Sequence, residues 1–210
     1  MATRFRDMDV RAAAKSQLLR HARGCADTLV IDELGIEHGA SRVDIAVIKG
    51  HIRGLEIKAD ADTLERLPRQ VEAYGRVVDR ATLIAAERHI ASAMDLLPEW
   101  WGVISVVRCA NGAVAFRRVR AERANREIDK LTLARLLWRR EVIDLLAGLG
   151  HDAKPLERRR RPELYADLAG VVSLARLRKI VRDTLKERKN WRDRVRPSSY
   201  DGSSPPTAMY

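Results

Sequence analysis

The feature that most constrains this chain is a pair of short apolar runs, Arg42-Val43-Asp44-Ile45-Ala46-Val47-Ile48 and Ile52-Arg53-Gly54-Leu55-Glu56-Ile57-Lys58, separated by Lys49-Gly50-His51. Both alternate along their length, and a glycine-containing gap between such runs reads as a β-hairpin. Side-chain parity chooses the loop. A loop of Lys49-Gly50 alone pairs Asp44 with Leu55 and sends Glu56 to the opposite face. A loop of Lys49-Gly50-His51, with Gly50 taking a positive φ, pairs Asp44 with Glu56 and Arg42 with Lys58. The longer loop gathers Val43, Ile45, Val47, Leu55 and Ile57 on one face, with Arg53 as its polar member. It leaves Asp44, Glu56 and Lys58 on the other face, with small Ala46 and Gly54 beside them. A slip of one residue mixes these sets, so the longer loop is preferred.

Opposed like charges destabilise a strand pair. An acid facing an acid therefore suits a site where a hard cation takes carboxylate oxygens, and Lys58 alternatively neutralises the pair. The five histidines show no zinc spacing, and Cys25 and Cys109 form neither a disulfide framework nor a metal cluster.

Charge narrows the partner. The net charge is +11; residues 1–118 hold 18 Lys and Arg against 16 Asp and Glu, and residues 119–210 hold 22 against 13. The basic excess thus lies in the second half, which points to an anionic partner, nucleic acid first. No apolar run approaches the about 20 residues of a membrane span. The N-terminus carries no apolar signal core, so the expected location is cytoplasmic. The oligomeric state is left open, with a homodimer as one option.

Along the chain, a helix is expected over 8–23, ending at Gly24, and a strand over 28–36. After the hairpin comes a helix with Thr63 as N-cap and Pro68 in its first turn, running to about Asp79. A strand over 81–86, a short helix over 89–97 stopped by Pro98, and strands over 102–107 and 113–119 follow. Residues 1–120 then form one α/β domain. Residues 121–196 form a basic, all-helical region: one helix over 131–149, a linker at Arg158-Arg159-Arg160-Arg161, and helices over 162–169 and 173–191. Residues 197–210, rich in Pro and Ser, read as a disordered tail.

A leading helix, a strand with an acid, a hairpin with Asp44 and then Glu56-Ile57-Lys58, a helix and another strand resemble the αβββαβ core of the PD-(D/E)XK nuclease superfamily, the restriction-endonuclease-like fold. Val43 stands where the motif often has proline. Gln70-Val71-Glu72-Ala73-Tyr74 resembles the Gln-x-x-x-Tyr motif of RecB-like exonuclease branches. The run Glu56 to Tyr74, with Pro98-Glu99-Trp100-Trp101-Gly102, is similar to a prokaryotic and phage family of stand-alone proteins within that superfamily.

The resemblance implies a mixed central sheet and metal-assisted hydrolysis of DNA, in preference to RNA. Asp44 and Glu56 would hold Mg²⁺ or Mn²⁺, with the Ile57 carbonyl and Glu33 (Glu37 as the alternative) as further ligands. Lys58 and Gln70 would act on water and phosphate. Tyr74 would contact substrate; from the basic excess of the second half, and apart from the resemblance, Arg158, Arg159, Arg160, Arg161 and Lys179 are expected to contact substrate phosphates, with Arg42 as a further contact. Two other readings stand beside this one: a catalytically inactive nucleic-acid-binding protein of the same fold, and a regulatory module for an acidic protein partner.

Overall fold

The computed structural model describes residues 4–23, 25–109 and 112–188. The expected tail 197–210 and the end of the last helix lie outside them. The chain is α/β, with a six-stranded mixed sheet in the order β1-β2-β3-β4-β5-β6. The strands are β1 (Leu29–Ile36), β2 (Ser41–Ile48), β3 (Ile52–Lys58), β4 (Arg80–Ala86), β5 (Gly102–Arg108) and β6 (Val114–Arg120). β3–β4 and β4–β5 pair in parallel, and the other neighbours are antiparallel. From Ala81 to Ala86 every residue of β4 is buried, and all but Thr82 are apolar, the pattern of a parallel strand covered on both faces.

Helices cover both faces. On one, α1 (Asp7–Ala13), a π-helical turn (Ala14–Leu18) and α2 (Arg20–Arg23) bring Val10, Ala14 and Leu19 against Ile45, Leu55, Ile57 and Ile84. On the other lie α3 (Leu67–Gly75) and α4 (Ile90–Leu96), which connect the parallel strands. The same apolar core takes in α5 (Lys130–Ala134), α6 (Arg139–Gly148), α7 (Ala153–Arg158), α8 (Arg161–Val171) and α9 (Leu174–Glu187). Leu177, Val181 and Leu185 of α9 are fully buried in it.

The hairpin has the expected register near its turn, where Ile48 pairs with Ile52 across Lys49-Gly50-His51 and Ile45 with Leu55, but the ladder ends there, so the expected pairs Asp44–Glu56 and Arg42–Lys58 do not form. Gly50, however, does not take a positive φ; the positive-φ glycines among the described residues are Gly39, Gly112 and Gly150. Val43 also departs from its expected face. It joins the α3-side core with Ala46 and Ile48, whereas Ile45 and Val47 lie on the α1 side. β1 changes phase opposite it: Ile31 packs on the α3 side, and so do Leu34 and Ile36. The change passes through Glu33, whose φ of 56° is left-handed. A non-glycine residue held there costs on the order of 1 kcal/mol or more.

Helix boundaries differ from expectation: the helix expected over 8–23 is divided into α1, the π-helical turn and α2, and α3 ends at Gly75 rather than about Asp79. α3 starts at Leu67 with Arg66 as N-cap, not Thr63, although Pro68 does occupy its first turn. The run 131–149 is two helices, α5 and α6, because the backbone turns out at Arg135–Trp138 and Glu141 restarts it by accepting from the Trp138 N–H at 2.7 Å. Part of the expected basic linker is α7, which buries Leu156.

Candidate active site

The site forms where the β2–β3 ladder ends. Beyond Ile45–Leu55 the strands part, and side chains take over the main-chain groups. Tyr74, projecting from α3, receives a hydrogen bond from the Asp44 N–H at 3.2 Å and donates to Glu56 Oε2 at 2.7 Å. Asp44 Oδ2 accepts from the Ile57 N–H at 2.8 Å. Gly54 makes the close approach possible: a Cβ on it would lie 2.8 Å from Tyr74 Cε1 and 3.2 Å from Val43 Cγ1.

Glu56 and Lys58 alternate with Ile57 on β3, so they share the α3 side, and both are buried. Lys58 Nζ donates to Glu56 Oε1 at 2.8 Å and to Gln70 Oε1 at 2.9 Å. Gln70 Nε2 returns to Glu56 Oε1 at 2.5 Å. Gln70 and Tyr74 lie one helical turn apart on α3, so one element delivers both. Burial and the neighbouring Glu56 carboxylate push the Tyr74 phenol well above its usual range and keep it a neutral donor. Burial first, then the Glu56 charge, raise the Asp44 carboxyl to about 7, against the Ile57 N–H and Arg11, which lower it.

Of the residues proposed from sequence, Asp44, Glu56, Ile57, Lys58, Gln70 and Tyr74 come together in this network. Glu33 reaches its edge through Arg11, whose Nη2 lies 3.1 Å from Glu33 Oε1 and 3.5 Å from Asp44 Oδ1. Glu37 points elsewhere, pairing with Arg76 at 3.1 Å. Arg42 sits at the rim, exposed and 3.9 Å from Glu33. Arg158, Arg159, Arg160 and Arg161 lie exposed around the α7–α8 junction, where Arg159 pairs with Glu163 and Asp167. Lys179, on α9, pairs with Asp183 at 2.6 Å. Among the described residues no hydrogen bond or ion pair joins these last five to the Glu56 network.

Sequence reasoning missed Arg11. Burial works against its charge, but the carboxylates of Asp44, Asp7 and Glu33 outweigh burial and raise its pKa. Its position on α1 carries no local signal; Asp44 is 33 residues away.

The donors fit a hard cation in kind: two carboxylates, Asp44 and Glu56, beside main-chain oxygen. Among the described residues no three His, Cys, Asp or Glu side chains converge as a ready ligand set. Glu33, the third acid nearby, is engaged by Arg11. No helix among the described residues is long and apolar enough to cross a membrane.

Comparison with solved structures finds a likeness to a protein of unknown function from Silicibacter pomeroyi, 17% identical, covering 70% of this chain and 94% of that one with a TM-score of 0.42. Among curated proteins, protein cII of Enterobacteria phage P4 is 25% identical over 192 residues, 90% of this chain and 69% of its own length. The family model for bacteriophage P4 protein cII matches residues 4–198, nearly the whole chain, and on that extent the chain belongs to the bacteriophage P4 protein cII family.

Proposed function

We propose that the chain is a divalent-metal-dependent deoxyribonuclease of the PD-(D/E)XK type, with a restriction-endonuclease-like core. The observation that carries this reading is the buried Glu56–Lys58–Gln70–Tyr74 network beside an acid raised to about 7. Burying two carboxylates and an ammonium together opposes stability unless every partner is in place. Perturbed ionisable groups of this kind concentrate at functional sites.

In this reading Asp44 and Glu56 hold Mg²⁺ or Mn²⁺, with the Ile57 carbonyl alongside. When bound, the cation supplies a Lewis acid against the phosphodiester. Lys58 orients the attacking water and neutralises charge that builds on the phosphate oxygens. Gln70 fixes Lys58 and presents its amide to water or substrate. Tyr74 fixes the Glu56 carboxylate and, through the Asp44 N–H, the part of β2 just beyond its ladder with β3. Arg42 meets the substrate backbone at the rim, and the exposed cations of α7, α8 and α9 add phosphate contacts further out.

Purified protein with Mg²⁺ or Mn²⁺ is expected to cleave at least one of single-stranded, duplex, nicked and branched DNA. The activity should disappear in Asp44→Ala and Lys58→Ala. A second reading, a nucleic-acid-binding protein without turnover, draws support from Glu56, both of whose oxygens already have partners. Metal-independent DNA binding without cleavage of any of the four substrates establishes that reading instead.

A further inference from the structure

We propose that Arg11 is the resident counter-ion of this site, exchanged for the divalent cation when the cation binds, and so a positioning residue that sets cation affinity. The proposal rests on the nuclease reading to the extent that the site takes a hard cation.

The Arg11 side chain is 17% exposed and is held on three sides. Its Nη1 donates to the Asp44 carbonyl at 2.8 Å, its Nη2 faces Glu33 and Asp44 Oδ1, and its Nε lies 3.3 Å from Asp7. Of the two Asp44 carboxylate oxygens, Oδ2 is committed to the Ile57 N–H, so the oxygen left for a cation is the one beside the guanidinium. Glu33, the other acid within reach, faces the same guanidinium from a left-handed backbone. Strain of that kind persists where the surroundings over-determine it, often at functional sites.

Glu56 has a different counter-ion, Lys58, supplied from its own strand. The two halves of the site are therefore neutralised separately, and only the Asp44–Glu33 half depends on another element, α1. With all acids ionised, Asp7, Glu33, Asp44 and Glu56 carry four negative charges against the three positive charges of Arg11, Arg42 and Lys58. Replacing Arg11 by a dication balances them. A guanidinium and a dication cannot share one carboxylate oxygen at close range without strong repulsion, so binding requires exchange. The π-helical turn at Ala14–Leu18 begins within a turn of Arg11, and π-turns in helices mark places of functional irregularity.

The test titrates MnCl₂ into wild type and Arg11→Met without DNA, reading free Mn²⁺ by its electron paramagnetic resonance signal. Arg11→Met is expected to bind Mn²⁺ on the order of tenfold more tightly, the change that follows from losing one charge-assisted hydrogen bond. Asp44→Asn should abolish binding in both backgrounds. Thermal melts check folding. Arg11→Lys, which keeps the charge but reaches fewer oxygens, should shift affinity in the same direction and carries the test if the Met variant does not fold. Equal affinity in wild type and both variants, still lost in Asp44→Asn, overturns the role of Arg11 and leaves the nuclease reading intact. No Mn²⁺ binding by any variant at millimolar concentration overturns both. Tighter binding in Arg11→Met alongside no DNA cleavage by wild type supports the exchange and overturns the nuclease reading alone.

Discussion

Asp44 is placed where its ionised form is least welcome. Its side chain is 19% exposed, and burial together with the Glu56 charge raises its pKa from 3.8 to about 7. A carboxyl whose folded pKa is raised works against folding as pH rises. Below 3.8 it is protonated in both states and costs nothing; between 3.8 and about 7 the unfolded chain ionises while the folded chain keeps the proton; above about 7 the loss is complete. Asp44→Asn removes that penalty while keeping an oxygen for the Ile57 N–H, and losing the Arg11 partner offsets part of the gain. Without added metal, the Asp44→Asn variant is expected to be more stable than wild type by about 1–2 kcal/mol at pH 8 and by less at pH 5. Denaturation midpoints at the two pH values check this. A gain that does not change between them contradicts the raised pKa of Asp44. Stability gained by deleting a site charge is the usual trade against activity.

At the scale of elements, the site depends on how closely α3 approaches β3, and Gly54 sets that distance. A Cβ there meets the Tyr74 ring and Val43 at less than ordinary contact distance. Gly54→Ala is therefore expected to cost about 1–3 kcal/mol. It should also push the Tyr74 hydroxyl off Glu56 and the Asp44 N–H, so that, on the proposed nuclease reading, metal-dependent cleavage falls by more than the stability loss explains. Thermal melts and cleavage assays on the same preparation separate the two effects; a full-activity variant of wild-type stability refutes the spacing argument. The hairpin and its register from Ile45–Leu55 to Ile48–Ile52 were legible because loop length and side-chain parity are local properties; the expected charged pairs Asp44–Glu56 and Arg42–Lys58 lie beyond the end of that ladder. Gln70 and Tyr74 were legible because one helical turn puts both on one face. The phase change at Val43 and Glu33 was not, since its partners are Tyr74 and Arg11 on distant elements. The break between α5 and α6 was hidden for a similar reason. Leu133, Leu136, Leu137 and Val142 keep a nearly helical spacing, while the turn between them is held by contacts such as Arg188 over the Trp138 ring at 4.2 Å. The end of α7 and the start of α8 were masked by the run Arg158–Arg161, which made the junction of two helices read as a longer solvated link.

For the whole molecule, the core role of the basic second half would confound any truncation aimed at its proposed nucleic-acid binding. Deleting residues 173–210 looks like a test of nucleic-acid binding, but α9 fills the core with Leu177, Val181 and Leu185, all at 0% exposure. At about 1.5–3 kcal/mol for each buried side chain, its loss rivals the whole stability of a domain. Ion pairs bind the helix as well: Arg178 to Asp79 at 3.2 Å and Lys186 to Asp27 at 2.7 Å. Loss of DNA binding on truncation would therefore report unfolding. The informative change leaves that apolar stripe alone and removes outward charge. Arg176 and Lys179 are exposed on α9, and Arg158, Arg160 and Arg161 are exposed around the start of α8. Replacing each set by glutamine should leave thermal stability within about 0.5 kcal/mol, as surface substitutions usually do. If these helices bind the phosphate backbone, log affinity for DNA against log salt should flatten by about one unit for each phosphate-binding cation removed. The set that flattens the slope marks the track of the nucleic acid. Slopes unchanged in both sets would detach the C-terminal charge from DNA and favour an acidic protein partner, whose binding would then be the quantity these same variants weaken.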